Sequence, residues 1–376
     1  MSASRRVTVL QLCANRWWTG SADPVIRLVK GLEGRGHRAL LALIPGDRFE
    51  AKAREAGIEP LIGLSLEARF RPAAMVGDVL RLRRLVRREQ VDVVHVHHSH
   101  DHWLGLLSRG RAVLVRTFHN QRAVGRPWPS TWLYRQSDAL IAVSRQIEEH
   151  CRHLALDPAR VFRVGGVVDL ARFAAGADGK AVRAELGLGT APVIGSVARL
   201  AHDRGHELLI LGFQRLLADY PEARLLLVGK GEARPRLEAL VRERGLGSRV
   251  LFAGYRDADL PAVLRALDVF ALMAAGSDES CRAALEAMAA GCPVIARRLG
   301  ALPEAIVHGS TGLLVDDERP ESVAAALRAV VAEPARARAM GEAGRRRAEE
   351  SFSPARHAAD VEAIYLGLLS RRAPSP

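Results

Sequence analysis

Along the whole chain, short apolar runs alternate with segments of helical periodicity. That pattern predicts parallel strands covered by helices, an α/β architecture. In the first half the strand candidates are Val7–Cys13, His37–Ile44, Val91–Val96, Ala112–Thr117, Ala139–Val143 and Val161–Val164. Asp23 followed by Pro24 predicts a capped helix start after the first of them. In the second half the candidates are Val193–Ala198, Arg224–Val228, Val250–Ala253, Val269–Met273 and Pro293–Ala296. The interval Ala174–Thr190, with Gly176, Gly179, Gly187 and Gly189, predicts a linker. The pattern therefore gives two Rossmann-like domains with a cleft between them, residues 1–172 and 173–354; a helix over 355–376 is expected to pack back on the first. In such sheets ligands bind beyond the carboxyl ends of the strands, so the loops after strands are where chemistry is sought.

Composition narrows the picture. With 376 residues, 48% hydrophobic and 26% charged, the chain can fill two cores, which excludes wholesale disorder. No apolar run is long enough for a transmembrane helix. The N-terminal apolar run is short and alternating, and Asn15 and Arg16 stand where a cleavage site would need small residues, so it reads as a first strand. Cys13, Cys151, Cys281 and Cys292 form no C-x-x-C pair, which suits reduced thiols in a cytoplasm.

Charge is uneven. Residues 1–172 hold 28 basic and 16 acidic side chains, hence +12; residues 173–376 hold 27 and 26, hence +1. All five tryptophans (Trp17, Trp18, Trp103, Trp128, Trp132) also lie in the first half. Only four basic residues are Lys, so the arginine excess reads first as genome base composition. The asymmetry adds a candidate partner for the first half, an anionic membrane surface or acidic lipid-linked acceptor. Nucleic acid is not expected, because no helix-turn-helix, zinc-finger or RNA-binding signature is present. Leu80-Arg-Leu-Arg-Arg-Leu-Val-Arg-Arg88 predicts a basic amphipathic helix, either lying on lipid or packed through Leu82, Leu85 and Val86.

The strongest chemical signal is Gly276-Ser-Asp-Glu-Ser-Cys-Arg-Ala-Ala-Leu-Glu-Ala-Met-Ala-Ala-Gly-Cys-Pro-Val-Ile295. A polar loop follows a strand, a helix runs from about Ser280 to Ala290, and Gly291 ends it. The helix start offers unpaired N–H groups that suit a diphosphate. Asp278 and Glu286, eight apart, can face one cleft; the plain structural alternative is a helix cap and a solvated helix residue. In Ile194-Gly-Ser-Val-Ala-Arg-Leu-Ala-His-Asp-Arg-Gly-His206, Arg199 and Arg204 flank a loop between strand and helix. Two such cations can clamp a pyrophosphate, or lie together by chance.

These segments resemble the family 4 glycosyltransferases of the GT-B fold, over nearly the whole chain. Asp92-Val-Val-His-Val-His97, Ala142-Val-Ser144, Gly166-Val-Val-Asp-Leu-Ala-Arg-Phe173, Leu226-Leu-Val-Gly-Lys-Gly231, Phe252-Ala-Gly-Tyr255, Gly300-Ala-Leu-Pro-Glu-Ala-Ile306 and Thr311-Gly-Leu-Leu-Val315 add to the likeness. The resemblance implies a metal-independent, retaining transfer from a nucleotide-diphosphate sugar, the co-substrate, with no further cofactor. It implies that Arg199 and Arg204 hold the diphosphate and that Glu286 binds the ribose hydroxyls. Asp278 contacts the sugar ring, the backbone of Ser280, Cys281 and Arg282 meets the phosphates, and Gly254 to Asp257, including Tyr255, borders the base. In the first domain it implies phosphate approach at Gly20 and a place beside the transferred sugar for His97. The acceptor expected is a cell-envelope glycan or a lipid-linked acceptor, and the expected place of work the cytoplasm or the inner face of the cytoplasmic membrane.

Three departures stand out: Asp278 where the family has Glu, Arg204 where it has Lys, and Gly20-Ser21 for a double glycine, with Asp23 close by. They leave the identity of the donor open; the alternatives are a GT-B nucleotide-sugar epimerase acting without an acceptor and, on the Asp278 substitution alone, a degenerate GT-B binding protein. His95-Val-His-His-Ser-His-Asp-His102 holds five histidines, with His95 and His97 on one side of a strand and the rest in a loop. That spread is a poor preset for a tetrahedral metal site, so none is expected. His119 ends the next strand and either shares the cleft or packs in the core. Lys230 lacks phosphate-loop spacing.

Overall fold

The computed structural model describes residues 5–15, 18, 21–66, 72–125, 128–173, 176, 178–274 and 281–372. Its contacts divide the chain into two units, one of residues 1–167 and 354–376, the other of residues 168–276 and 281–353. The division falls between Val167 and Val168, a few residues ahead of the boundary expected from sequence.

In the first unit, β1 (Thr8–Cys13), β2 (Arg38–Leu43), β3 (Val93–Val96), β4 (Val113–Phe118), β5 (Ala139–Ala142) and β6 (Val161–Arg163) form one parallel sheet in the order β2-β1-β3-β4-β5-β6. Both faces are covered, which is why the strands read as nearly continuous apolar runs. On one face Val9, Val93, Val113, Val115, Ala139 and Ile141 pack against Leu28 and Leu32 of α1 (Ala22–Gly34) and against Val361, Ile364 and Tyr365 of the last helix, Pro354–Arg372. Each large apolar side chain buried this way contributes roughly 1.5–3 kcal/mol relative to exposure. Helix α1 and the last helix touch closely, because a Cβ on Gly31 would stand 2.5 Å from the Cβ of Ala358.

Three other helices of this unit bear on function. Helix α2 (Pro72–Arg88) buries Leu82 and Val86, half-buries Leu85, and exposes Arg81, Arg84, Arg87 and Arg88. The packing seen for the basic segment is therefore that of a surface helix anchored through its leucine and valine side. Helix α3 (Ser99–Ser108) carries His100 and His102, which sequence reasoning put in a loop. Asp101 causes that helix to start where it does, since its carboxylate accepts from the His98 N–H at 2.6 Å. Helix α4 is Trp128–Arg135. In α1, Asp23 lies inside the first turn and the N-cap is Ser21, so the expected capping role of Asp23 is not seen; it pairs instead with Arg27 at 3.2 Å.

The second unit is a parallel sheet of β7 (Val193–Val197), β8 (Arg224–Val228), β9 (Val250–Gly254), β10 (Val269–Leu272), β11 (Val294–Arg297) and β12 (Gly312–Val315), in the order β12-β11-β10-β7-β8-β9. Strand β12 is absent from the sequence-based set; four residues at a sheet edge, opened by a glycine, give too short an apolar run to stand out. The expected linker is also corrected. Within it α5 (Gly179–Glu185) buries Val182 in the unit's core, and Arg183 pairs with Asp268 at 2.6 Å. Glycines there mark turns around a short helix rather than a free connection. Helix α6 (His206–Leu216) follows β7, and α7 (Arg282–Ala289) follows the loop after β10, starting two residues later than expected.

Candidate functional site

In the second sheet β8 lies on one side of β7 and β10 on the other, so the chain reverses direction of sheet growth at the β7/β10 boundary. Loops leaving the carboxyl ends of two such strands diverge to opposite faces and leave a crevice suited to a ligand. The two motif loops are these loops. The one after β7 carries Arg199 and Arg204, and the one after β10 leads to Cys281 and α7. Gly205 locks them together. It adopts φ +70°, and a Cβ there would stand 2.7 Å from the Met273 carbonyl oxygen. Only glycine meets both demands without strain.

The two arginines differ in setting. The Arg199 side chain is 68% exposed and pairs with Glu232 at 2.9 Å, a surface contact of small net worth. The Arg204 side chain is only 12% exposed and has Asp203 at 3.4 Å. The β7 loop is also tied to the β8 loop, through Leu200 N–H to the Lys230 carbonyl at 3.1 Å and Ala233 N–H to the Leu200 carbonyl at 2.8 Å. Next along the sheet, Gly254 (φ +69°) closes β9, and Tyr255 lies half-exposed with the Lys230 ammonium 5.3 Å from its ring centre.

Cys281, the N-cap of α7, has φ +56° and no side-chain cap bond. A non-glycine residue in that region stores strain, a feature that clusters at functional sites. Glu286 is buried on α7, and Arg282 reaches it at 3.4 Å, so it is not the solvated residue of the plain alternative. Gly20, Asp278 and Ser280 lie outside the described residues.

In the first sheet the reversal falls between β1 and β3, and His97 sits there, its N–H donating to the Leu12 carbonyl at 3.2 Å. Asp101 gathers the two loops, accepting from Ala14 N–H at 3.1 Å as well as from His98. Its counter-charge is Arg116 of β4, 3.7 Å away and equally buried, with the Phe118 ring 5.2 Å from the guanidinium.

Strand alternation puts Gln11, His95, His97, Thr117 and His119 on one face, at the carboxyl end of a stripe that is otherwise apolar and mostly valine. They bond to one another. His97 Nε2 meets Gln11 Oε1 at 2.8 Å, and His97 Nδ1 meets His119 Nε2 at 3.1 Å. His95 bridges the Tyr365 hydroxyl at 2.6 Å and Thr117 Oγ1 at 2.7 Å. A cavity of about 20 Å³, large enough for a water molecule, opens beside them. His95, His97, Thr117, His119, Gly165 and His357 are among the residues that line it. His357 Nδ1 bonds the Gly165 carbonyl at 3.2 Å.

Burial drives the imidazoles toward neutrality. It lowers His95 to about 3. It holds His97 and His119 well below their usual range, with neighbouring histidines and Arg116 acting in the same direction. The cluster is therefore a set of uncharged hydrogen-bonding groups. Among the described residues no group of three or more His, Cys, Asp or Glu side chains is placed to hold a metal ion.

Sequence reasoning placed His97 correctly at a strand end and left His119 open between cleft and core; the structure bonds the two. It missed Gln11, Thr117 and Tyr365. The first two carry a signal, a polar residue two positions after a run of alternating valines. Tyr365 carries none, being 354 residues from Gln11, to which it is bonded.

The chain is similar to known proteins in both units. The family profile described as Glycosyltransferase Family 4 matches residues 19–172, and that described as Glycosyl transferases group 1 matches residues 179–347. D-inositol 3-phosphate glycosyltransferase of Rhodococcus jostii (strain RHA1) is 34% identical over 302 residues, 73% of this chain and 66% of that one. The protein of the same name from Corynebacterium glutamicum (strain R) is 30% identical over 322 residues, 78% and 76% of the two chains. GDP-mannose-dependent alpha-(1-6)-phosphatidylinositol monomannoside mannosyltransferase of Mycolicibacterium smegmatis is 36% identical over 186 residues, 47% and 49%. The chain thus spans about two thirds of the first of these relatives.

Among solved structures, a glycosyltransferase from Rickettsia africae ESF-5 superposes with TM-score 0.87 at 18% identity, covering 99% of this chain and all of that one. Anabaena HepE in complex with UDP and glucose gives 0.82 at 19%, covering 96% and 99%. Both share the fold of two Rossmann-like domains.

Proposed function

Because the chain belongs to glycosyltransferase family 4, with the GT-B fold, we propose that it moves a sugar from a nucleotide-diphosphate donor to a cell-envelope glycan or lipid-linked acceptor, with retained anomeric configuration and no metal. The observation that carries this reading is the contact of Gly205 with Met273, which holds the arginine loop against the loop leading into α7 at a sheet switch point.

On this reading Arg199 and Arg204 hold the diphosphate and neutralise charge as it leaves. The amino end of α7 from Cys281 and Arg282 meets the phosphates, and Glu286 takes the ribose hydroxyls. Gly254 and Tyr255 border the base, Asp278 contacts the sugar, and His97 and Gly20 contribute from the first unit. Two of the relatives act, by name, on a polyol phosphate and on a phosphoinositide lipid, which supports an acceptor of phosphorylated-polyol or lipid-linked class.

An anionic membrane surface is the proposed further partner. Trp128 is 76% exposed and Trp132 also faces solvent, while α2 presents its arginines outward. No described helix is long and apolar enough to cross a membrane, so such binding would be peripheral.

The test is release of nucleoside diphosphate from a panel of sugar nucleotides with lipid extracts, in the presence of a chelator, with the product's anomeric configuration read by NMR. Turnover with donor alone would point to the epimerase instead. Donor binding without turnover would point to a degenerate binding protein. Flotation with phosphatidylglycerol vesicles, against phosphatidylcholine alone, tests the membrane partner.

A further inference from the structure

The buried hydrogen bonds of the first unit have a direction, and it can be followed from one end. Gln11 Nε2 donates to the Tyr365 hydroxyl at 3.3 Å. The hydroxyl also meets His95 Nδ1 at 2.6 Å, and His95 Nε2 meets Thr117 Oγ1 at 2.7 Å. With its amide nitrogen committed to Tyr365, Gln11 offers His97 only its carbonyl oxygen, at 2.8 Å. His97 must therefore carry its proton on Nε2. Its Nδ1 is then a bare acceptor, so the 3.1 Å contact with His119 requires the proton on His119 Nε2.

The remaining nitrogen, His119 Nδ1, is buried and has no hydrogen-bond partner among the described residues. Its ring lines the cavity. An unpaired buried acceptor of this kind costs roughly 1–3 kcal/mol. A hydroxyl or water in the adjoining cavity can supply the missing donor.

We infer that Gln11 and Tyr365 are positioning residues, which hold His119 through His97 as the Nε2–H tautomer so that the cavity presents a bare imidazole nitrogen to a ligand hydroxyl. A bare, uncharged nitrogen accepts from O–H and offers nothing to a phosphate oxygen. At about 20 Å³ the cavity has room for one such hydroxyl and not for a phosphate. The last helix thereby acts on His119 by way of Gln11 and His97. Only the owner of that hydroxyl, a sugar in transfer, rests on the glycosyltransferase reading; the proton arrangement stands apart from it.

The experiment uses the full chain with 15N-labelled histidine, and long-range proton–nitrogen spectra at neutral pH, with His119 assigned by loss of its signals in His119→Asn. The expected wild-type result is a protonated Nε2 and a bare Nδ1 on both His97 and His119. Tyr365→Phe and Gln11→Met each remove the anchor in a different way, and each is expected to turn His119 into a mixture of tautomers. If one variant fails to fold, the other decides. A wild-type proton on His119 Nδ1, or an unchanged tautomer in a folded variant, would overturn the inference. In the transfer assay the same variants are expected to lower kcat about tenfold, the worth of one hydrogen bond, with the donor KM within about twofold. Mixed tautomers with an unchanged kcat would overturn the positioning role. Absence of transfer with every donor would sink the proposed function, and the nitrogen spectra would still decide the relay.

Discussion

His37 Nε2 and Glu362 Oε1 lie 2.5 Å apart, joining the start of the second strand to the last helix across 325 residues. His37 Nδ1 accepts from the Val7 N–H at 3.2 Å, which leaves Nε2 as the donor to the carboxylate. Arg35 meets the other oxygen of Glu362 at 2.5 Å. Burial alone would raise the Glu362 carboxyl, but the bonds from His37 and Arg35 outweigh it and hold it below its ordinary value. A carboxylate depressed in the folded state contributes stability above its unfolded pKa and loses it as pH falls through the folded one. Glu362→Gln is expected to cost about 1–3 kcal/mol at neutral pH, read as a lower urea midpoint, with the gap to wild type closing in acid. A gap that persists below the carboxylate range would contradict the ion-pair account.

The diphosphate role separates the two arginines. Arg204, with its side chain largely covered, is expected to lose about a hundredfold or more in kcat/KM on substitution by Ala, the scale of one preorganised charge contact. Arg204→Lys should recover part of it, since the charge returns without the planar fork. Arg199, more exposed and held by Glu232, is expected to cost less and to show the steeper salt dependence. Steady-state release of nucleoside diphosphate at two ionic strengths measures both.

Gly205→Ala tests the lock between the two loops. The left-handed backbone alone costs about 1–2 kcal/mol for alanine, and the Met273 backbone leaves its methyl no room. Thermal unfolding should show a loss exceeding that conformational figure, with donor affinity weakened alongside. A loss confined to about 1 kcal/mol would mean the loops part readily.

Acid sensitivity should be steep. His95, His97, His102 and His119 are all pushed down, by burial first, so the folded state refuses protons that the unfolded chain accepts. A histidine depressed on folding contributes stability above its unfolded pKa and withdraws it below. Each such imidazole removes up to about 1.4 kcal/mol per pH unit below about pH 6.5. Denaturant midpoints followed from pH 8 to pH 5 check this. A flat profile would show that the cluster admits protons.

How far the sequence carried the reading depends on the range of the signal. Most strands of both sheets were legible because they are buried and so read as apolar runs, a run that the less buried edge strands β6 and β9 keep; β12, four residues at an edge, was not legible. Arg199 and Arg204 were legible because strand, loop and helix succeed one another locally, while the lock that holds their loop, Gly205 on Met273, depends on sheet order and is silent in the sequence. His97 was placed by its position at a strand end. Its partners Gln11 and His119 required the register of three strands, and Tyr365 required knowing which helix returns to cover them. The glycines of 174–190 misled because turn residues around a short helix look like those of a linker.

The return of residues 354–372 to the first sheet has a consequence for biosynthesis. When the ribosome has delivered all six strands of that sheet, the helix that shields Val93, Val113, Val115 and Ile141 still lies beyond the whole of the second unit. Until it arrives, a greasy strip and a half-built chain of imidazoles stay open to solvent, so the nascent protein passes through a stage that invites chaperones and punishes early termination.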